Sequence, residues 1–387
     1  MDQKTIAVML ALVRSAVFDK NLTEPEKALL SDERLVEIKS IAEKHDLSHL
    51  VEYGLRKNSP ASKVGGGVGR AVLKAVYRCE QLNYEYDRLC KALESAQIPF
   101  MPLKGSVIRK HYPEPWMRTS CDIDVLVQRK DLDRAVAWLV RTLDYVEKER
   151  ATHDVSLFTP GGKHVELHFD LVEEGQANRA DEVLNSVWEN ASLCSGYSCC
   201  YKMSDEFFYF YHIAHMAKHF EYGGCGVRPF IDLWILDHME GADANSRNKL
   251  LIEGDLLQFA ETVRKLSRIW FGAEKMDAKS NKVQDYILFG GAYGSFDHKI
   301  AFSQRKRGGR IGYIMARVFL PFAKLKRHYP ILEKHPWLFP FMQIRRWFML
   351  LKPDIAKRAK HEIQINQRLE KAETDQVTAL LDDAGIR

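Results

Sequence analysis

The chain has 387 residues, 46% of them hydrophobic and 28% charged, which excludes a disordered chain and suits a folded protein of two or three domains. No apolar run approaches the roughly 20 residues of a membrane-spanning helix, and the seven cysteines include no C-x-x-C pair, which argues against a zinc ribbon or disulfide scaffold and for a reducing compartment. The formal charge is only +5, yet residues 301–352 hold twelve Lys or Arg against the single acid Glu333, so the remainder of the chain is net acidic.

The N-terminus, "MDQKTIAVMLALVRSAVFDK", starts acidic and lacks a small-residue cleavage site, so it reads as an amphipathic helix of a cytoplasmic protein. Residues 1–97 form a helical region. Within it Val72, Val76, Cys79, Leu82, Tyr86, Leu89 and Leu93 step by three or four and lay one apolar stripe along a single long helix. The run "GGGVG", Gly65 to Gly69, resembles a phosphate loop at first sight. It lacks the Lys-Ser/Thr ending and follows no strand, so it reads as a hinge.

From Ile98 the periodicity changes. "IPFMPL" reads as a strand, "GSVIRKHY" as a short helix, "CDIDVLV" as a strand, "KDLDRAVAWLV" as a helix and "YVEKE" as a strand. "VSLFTPGGKHVELHFDL" reads as a hairpin turning at Pro160, Gly161 and Gly162. This alternation predicts an α+β core at 98–203, a small mixed sheet backed by helices, followed by a helical domain at 204–387.

Strand periodicity carries the chemistry. In "CDIDVLV" Asp122 and Asp124 share one face while Ile123 and Val125 take the other, and in "HVELHFDL" Glu166, His168 and Asp170 lie opposite Val165, Leu167 and Phe169. If the two strands are neighbours, three carboxylates converge. Like charges so placed raise one another's pKa, and one or two Mg²⁺ or Mn²⁺ ions sharing them would relieve the repulsion. Gly105 and Ser106 open a helix with backbone N–H groups and a hydroxyl suited to phosphate oxygens, and Lys104, Arg109 and Arg118 supply positive charge.

The order strand, Gly-Ser, short helix, Asp-x-Asp strand and later acidic strand resembles the DNA polymerase β-like nucleotidyltransferase superfamily. "LKGSVIRKHYPEPWMRTSCDIDVLV" and "VELHFDL" look most like a bacterial family of uncharacterised nucleotidyltransferases. "HIAHMAKHF", "RPFIDLWIL" and an "LFPF"-type stretch extend the likeness toward the C-terminus. The resemblance implies that Gly105 and Ser106 hold a triphosphate, that Asp122 and Asp124 hold the metals, and that Glu166 is the third carboxylate. Many members of the superfamily carry Asp as the third acid; Asp170 is the reserve here. The implied reaction moves a nucleoside monophosphate from an NTP donor to a hydroxylated acceptor, a small molecule, saccharide or peptide intermediate, with release of pyrophosphate. The alternatives are a toxin-like enzyme acting on RNA or tRNA ends, and an inactive nucleotide-binding scaffold.

Accessory positions follow. His168 either orients a carboxylate or lies at the surface. His212, His215 and His219 share one helical face, which admits a zinc reading, but three ligands on one helix is unusual geometry. Hydrogen-bonded support or a nucleotide-side role is the competing expectation. Arg228 and Asp232 stand one turn apart and read as an ion pair, with Arg228 a second candidate for the substrate side. The basic segment 301–352 mixes cations with aromatics. It admits a plain solvated helical face, peripheral contact with an anionic membrane, or contact with RNA.

Overall fold

The computed structural model describes residues 2–58, 69–172, 178–221, 223–292, 294, 296–329, 331–350, 353–369 and 371–386. The glycine run read as a hinge lies outside these residues except for Gly69. Helices α1 (Gln3–Phe18), α2 (Glu24–Ala28), α3 (Asp32–Lys44) and α4 (Ser48–Asn58) come first. Their starts carry their own caps: Asp2 accepts from the N–H groups of Lys4 and Thr5, Thr23 and Glu26 form a reciprocal capping box, and Ser31 accepts from Arg34. The long helix α5 (Arg70–Ser95) follows with the predicted stripe, burying Val72, Cys79, Leu82, Leu89 and Leu93.

The sheet is built from β1 (Phe100–Pro102), β2 (Asp122–Val127), β3 (Val146–Arg150), β4 (Asp154–Phe158) and β5 (His164–His168). The order is β1-β2-β5-β4-β3, with β2 and β5 parallel and every other pair antiparallel. The expected mixed sheet is therefore present, and the two acidic strands are neighbours. Helix α6 (Lys104–Ile108) links β1 toward β2, and α7 (Leu132–Leu143) links β2 to β3. Beyond α8 (Ala180–Leu184), β6 (Ala191–Leu193) and β7 (Tyr201–Met203) form a hairpin absent from the sequence reading. It abuts β1, where the Phe100 N–H donates to the Cys199 carbonyl at 2.9 Å.

The two faces of the sheet have different fates, as the period of two demands. Ile123, Val125, Val155, Leu157, Val165 and Leu167 pack on the apolar stripes of α5 and α7. The opposite face, with Asp122 and Asp124, turns toward the helices α9 (Asp205–Glu221) and α10 (Arg228–Asp237). Those two helices share one continuous core with α1, α3, α4 and the helices α11 (Ala244–Glu253), α12 (Leu257–Phe271) and α13 (Ala278–Gly290).

The chain continues through α14 (Phe296–Lys306), α15 (Arg310–Val318), α16 (Phe322–His328), α17 (Ile331–Lys334), α18 (Phe339–Leu350), α19 (Pro353–Arg368) and α20 (Lys371–Ala384). Leu381, Ala384 and Ile386 return to the main core, so α15 to α19 are an excursion whose two ends are held. No described helix is long and apolar enough to cross a membrane.

Candidate active site

Parallel pairing sets the register Asp122 opposite His164, Asp124 opposite Glu166 and Leu126 opposite His168. Side chains of one face on adjacent strands are near neighbours. The carboxylates accordingly converge, and two overlapping groups of potential metal ligands form: Asp122, His164 and Glu166, and Asp124, Glu166 and His168, each with ligand atoms within 4.8 Å of one another.

Lys104 answers the question that two acids on one buried strand face raise. The Leu103 N–H still pairs with the Asp124 carbonyl at 3.0 Å, and the chain turns at Lys104 with φ of +43°. That left-handed backbone is costly for a residue with a Cβ, on the order of 1 kcal/mol or more. It sends the ammonium back over the sheet, where Nζ donates to Asp124 Oδ1 at 2.8 Å and lies 3.8 Å from Glu166 Oε2. His168 Nε2 stands 3.0 Å from the same Asp124 oxygen and 3.3 Å from Glu166.

These contacts split the acids. Burial opposes the Asp124 charge, but the Lys104 ammonium and the His168 hydrogen bond hold its carboxyl well below the usual range. Asp122 has no such counter-charge in contact, and burial together with the Asp124 carboxylate pushes it up. Burial likewise opposes charge on His168, yet its bonds to Asp124 and Glu166 raise it.

The opposite wall carries two cations, Lys218 and Arg228, beside neutral rings. Tyr211, His215, Lys218 and His219 on α9, and Arg228 at the start of α10, face the acids across a cavity of about 350 Å³. Burial and the nearby Lys104 ammonium lower Lys218 to about 8, and burial with Lys218 lowers His219 to about 4. His219 Nε2 lies 3.1 Å from His215 Nε2.

The predicted site residues divide. Lys104, Gly105, Asp122, Asp124, Glu166, His168, His215, His219, Arg118 and Arg228 all line this cavity. Ser106 does not. It lines a separate cleft against α5 with Arg109, while Ser120 stands at the main cavity in its place. Arg109 is committed elsewhere: its guanidinium donates to the Gly105 carbonyl, Asn83 and Ser120 at 3.0, 3.0 and 2.7 Å. Arg118 is also internally bound, since Asp232 takes its Nε at 3.0 Å through both oxygens and its second guanidinium nitrogen at 2.9 Å.

The expected Arg228–Asp232 ion pair is therefore corrected. Asp232 is occupied by Arg118 and by the Tyr112 hydroxyl at 2.6 Å, and Arg228 donates to the Thr119 carbonyl at 3.0 Å. Asp170 leaves the cluster because β5 ends at His168; its carboxylate accepts from Arg129 and the Val172 N–H instead. The zinc reading of α9 finds no three-ligand group among the described residues, and His212 bonds the Pro229 carbonyl at 2.9 Å.

Among the cavity residues that escaped sequence reasoning are His153, Asp154, Tyr211 and Lys218, besides Ser120. Asp154 was legible in principle, since "DVSLF" continues the alternation of the neighbouring strands. Lys218 gave no such signal, because a lysine in the last turn of a helix is ordinary.

No curated protein and no solved structure matches the chain. The family model described as uncharacterised nucleotidyltransferase matches residues 33–272, which takes in α3 through α12 and every cavity residue named above. It stops short of the C-terminal excursion, into which the likeness read from the sequence extended. With that span matched and the acidic sheet face at its centre, the chain belongs to the uncharacterised nucleotidyltransferase family and is a nucleotidyltransferase.

Proposed function

We propose that the protein transfers a nucleoside monophosphate from an NTP to the hydroxyl of a small acceptor, releasing pyrophosphate. The observation that carries this reading is the β2–β5 register, which aligns Asp124 with Glu166 beside Asp122. A carboxylate set with an under-compensated Asp122 fits one or two Mg²⁺ or Mn²⁺ ions, which hard oxygen ligands suit. Asp122, Asp124 and Glu166 would hold them, with His168 orienting the last two. When bound, such ions polarise phosphoryl oxygens and favour the ionised acceptor hydroxyl.

The chain's own residues would do the rest. Lys104 and the Gly105 backbone lie at the acidic end of the cavity, and Lys218 and Arg228 offer positive charge to the phosphates from the facing wall. The acceptor oxygen attacks the α-phosphorus in line, the bond to the β-phosphate oxygen breaks, and the pair of electrons leaves with pyrophosphate. Glu166 takes the acceptor proton. The cavity of about 350 Å³ lies within the range of small-ligand sites.

The test is thermal unfolding with each NTP, with and without Mg²⁺ or Mn²⁺, beside pyrophosphate release over an acceptor panel. One metal-dependent NTP should raise the unfolding midpoint by a few degrees, as ligand linkage requires. Asp122→Asn and Asp124→Asn should each retain a cooperative transition, lose that shift and lose turnover. Full turnover in either variant would refute the assignment.

A further inference from the structure

The segment that the family match leaves out is also where apolar surface is concentrated. On α15 and at its C-terminal cap, Ile311, Met315 and Phe319 recur at intervals of four and are 78%, 50% and 49% exposed. On α18, Phe341, Ile344 and Phe348 recur at three and four and are 59%, 45% and 69% exposed. Each set is a single outward stripe, the reverse of the usual placement on a globular helix. Trp337, just before α18, is 68% exposed.

The two helices are braced against each other, so the stripes belong to one surface unit. The Trp347 indole N–H donates to the Val318 carbonyl at 2.8 Å, Arg346 donates to the Val318 and Arg317 carbonyls, and the Phe319 and Trp347 rings meet edge to face. Cations surround these stripes. Arg310 and Arg346 donate to backbone carbonyls, and Arg345 lies over the Tyr329 ring. The one acid of the segment, Glu333, is already paired with Lys326 at 3.3 Å.

From this surface we infer that α15 to α18 dock the enzyme on an anionic lipid bilayer, lying in the interface with their apolar stripes inserted and their cations against the headgroups. Charge selects the occupant first: residues 310–350 hold eight Lys or Arg against one acid, and although Arg317 pairs with Glu362 and Lys326 with Glu333, the remaining excess calls for a polyanionic partner. The apolar side chains then select between polyanions. Ile311, Met315 and Ile344 have no π-face on which a nucleic-acid base could stack, whereas an acyl boundary takes aliphatic and aromatic groups alike. The absence of any membrane-crossing helix among the described residues fits in-plane docking.

The experiment is flotation of the full chain with vesicles of phosphatidylcholine alone and with about 30% phosphatidylglycerol, at ~0.1 and ~0.5 M salt. Binding should be at least ten-fold greater to the anionic vesicles and should fall as salt rises, each cation near the surface being worth roughly five-fold. Phe341→Asp/Phe348→Asp should abolish flotation while the unfolding midpoint stays unchanged, because neither side chain is in a core. Lys334→Glu/Arg345→Glu should weaken it more than ten-fold. The inference is overturned by absence of flotation with anionic vesicles, or by equal flotation of the Phe341→Asp/Phe348→Asp variant. It is equally overturned if the protein binds tRNA with a steep salt slope but no vesicle, or if the stripes close a dimer that leaves vesicles unbound.

Discussion

Lys104 and Arg118 show how two cations near the same acids take different parts. Lys104 sits on the sheet face with its charge shared by Asp124 and Glu166, where an entering metal would displace it from the carboxylates and a phosphate would attract it. Arg118 is locked: its side chain is 9% exposed, Asp232 is 1% exposed, and the Tyr112 hydroxyl completes the set. Burial opposes the Asp232 charge, but the Arg118 guanidinium keeps its carboxyl below the usual range. Removing one partner leaves the other charged and dry, a loss of about 3–5 kcal/mol, far above the worth of a surface pair. Asp232→Ala should therefore lower the urea unfolding midpoint strongly, and Arg118→Met/Asp232→Leu should recover much of the loss. Equal destabilisation by the single and double variants would show that packing, and not charge, governs this position.

Elements differ in how far their sequence announced them. Strands β2 and β5 were legible because one buried face and one acidic face alternate without a break, and that pattern fixes register once the strands pair. The long stripe of α5 was legible for the same reason at helical period. The cavity's far wall was not. Helix α9 buries Phe207, Phe208, Tyr209, Phe210 and Tyr211 in succession, so its apolar residues form no single stripe, and nothing local says which of its polar groups will meet the sheet.

Arg228 was placed by a local rule, the one-turn ion pair, which a tertiary partner overrode. Close helix contact is likewise invisible from sequence. Gly54 on α4 lies so near α1 that an added Cβ would stand 2.3 Å from the Leu12 carbonyl oxygen. Helix propensity favours Ala over Gly by about 1 kcal/mol, but forcing two packed helices apart costs about 1–3 kcal/mol and the obstacle is backbone, which cannot rotate away. Gly54→Ala should thus destabilise despite its better propensity. A raised unfolding midpoint would mean that α1 and α4 separate more easily than their shared core implies.

At the scale of the molecule, histidines held neutral by burial tie stability to pH. His45, just after α3, is 1% exposed, bonded to the Leu288 carbonyl on α13, and burial lowers it to about 4. His49 on α4 and His298 on α14 are lowered for the same cause, as are His153 and His219 at the cavity. His45, His153 and His219, lowered to about 4, take a proton near 6.5 when the chain unfolds but resist it when folded, so between about 6.5 and 4 the unfolded state binds more protons and stability rises with pH; His49 and His298 act in the same direction. His168 is raised instead; its contribution is full below 6.5 and is lost above that value, outside this window. Asp122, Asp154 and Glu221, also raised, act in the opposite sense above their ordinary values, but they are outnumbered by the lowered histidines. Urea unfolding should accordingly show stability falling by about 1.4 kcal/mol per pH unit for each such histidine as pH drops below 6.5. His45→Leu should make the slope shallower by one such increment, because it removes one proton from the difference. A flat profile between pH 6.5 and 4.5 would mean that water reaches these rings in the folded protein, and that the core joining α3, α4 and α13 is looser than its burial implies.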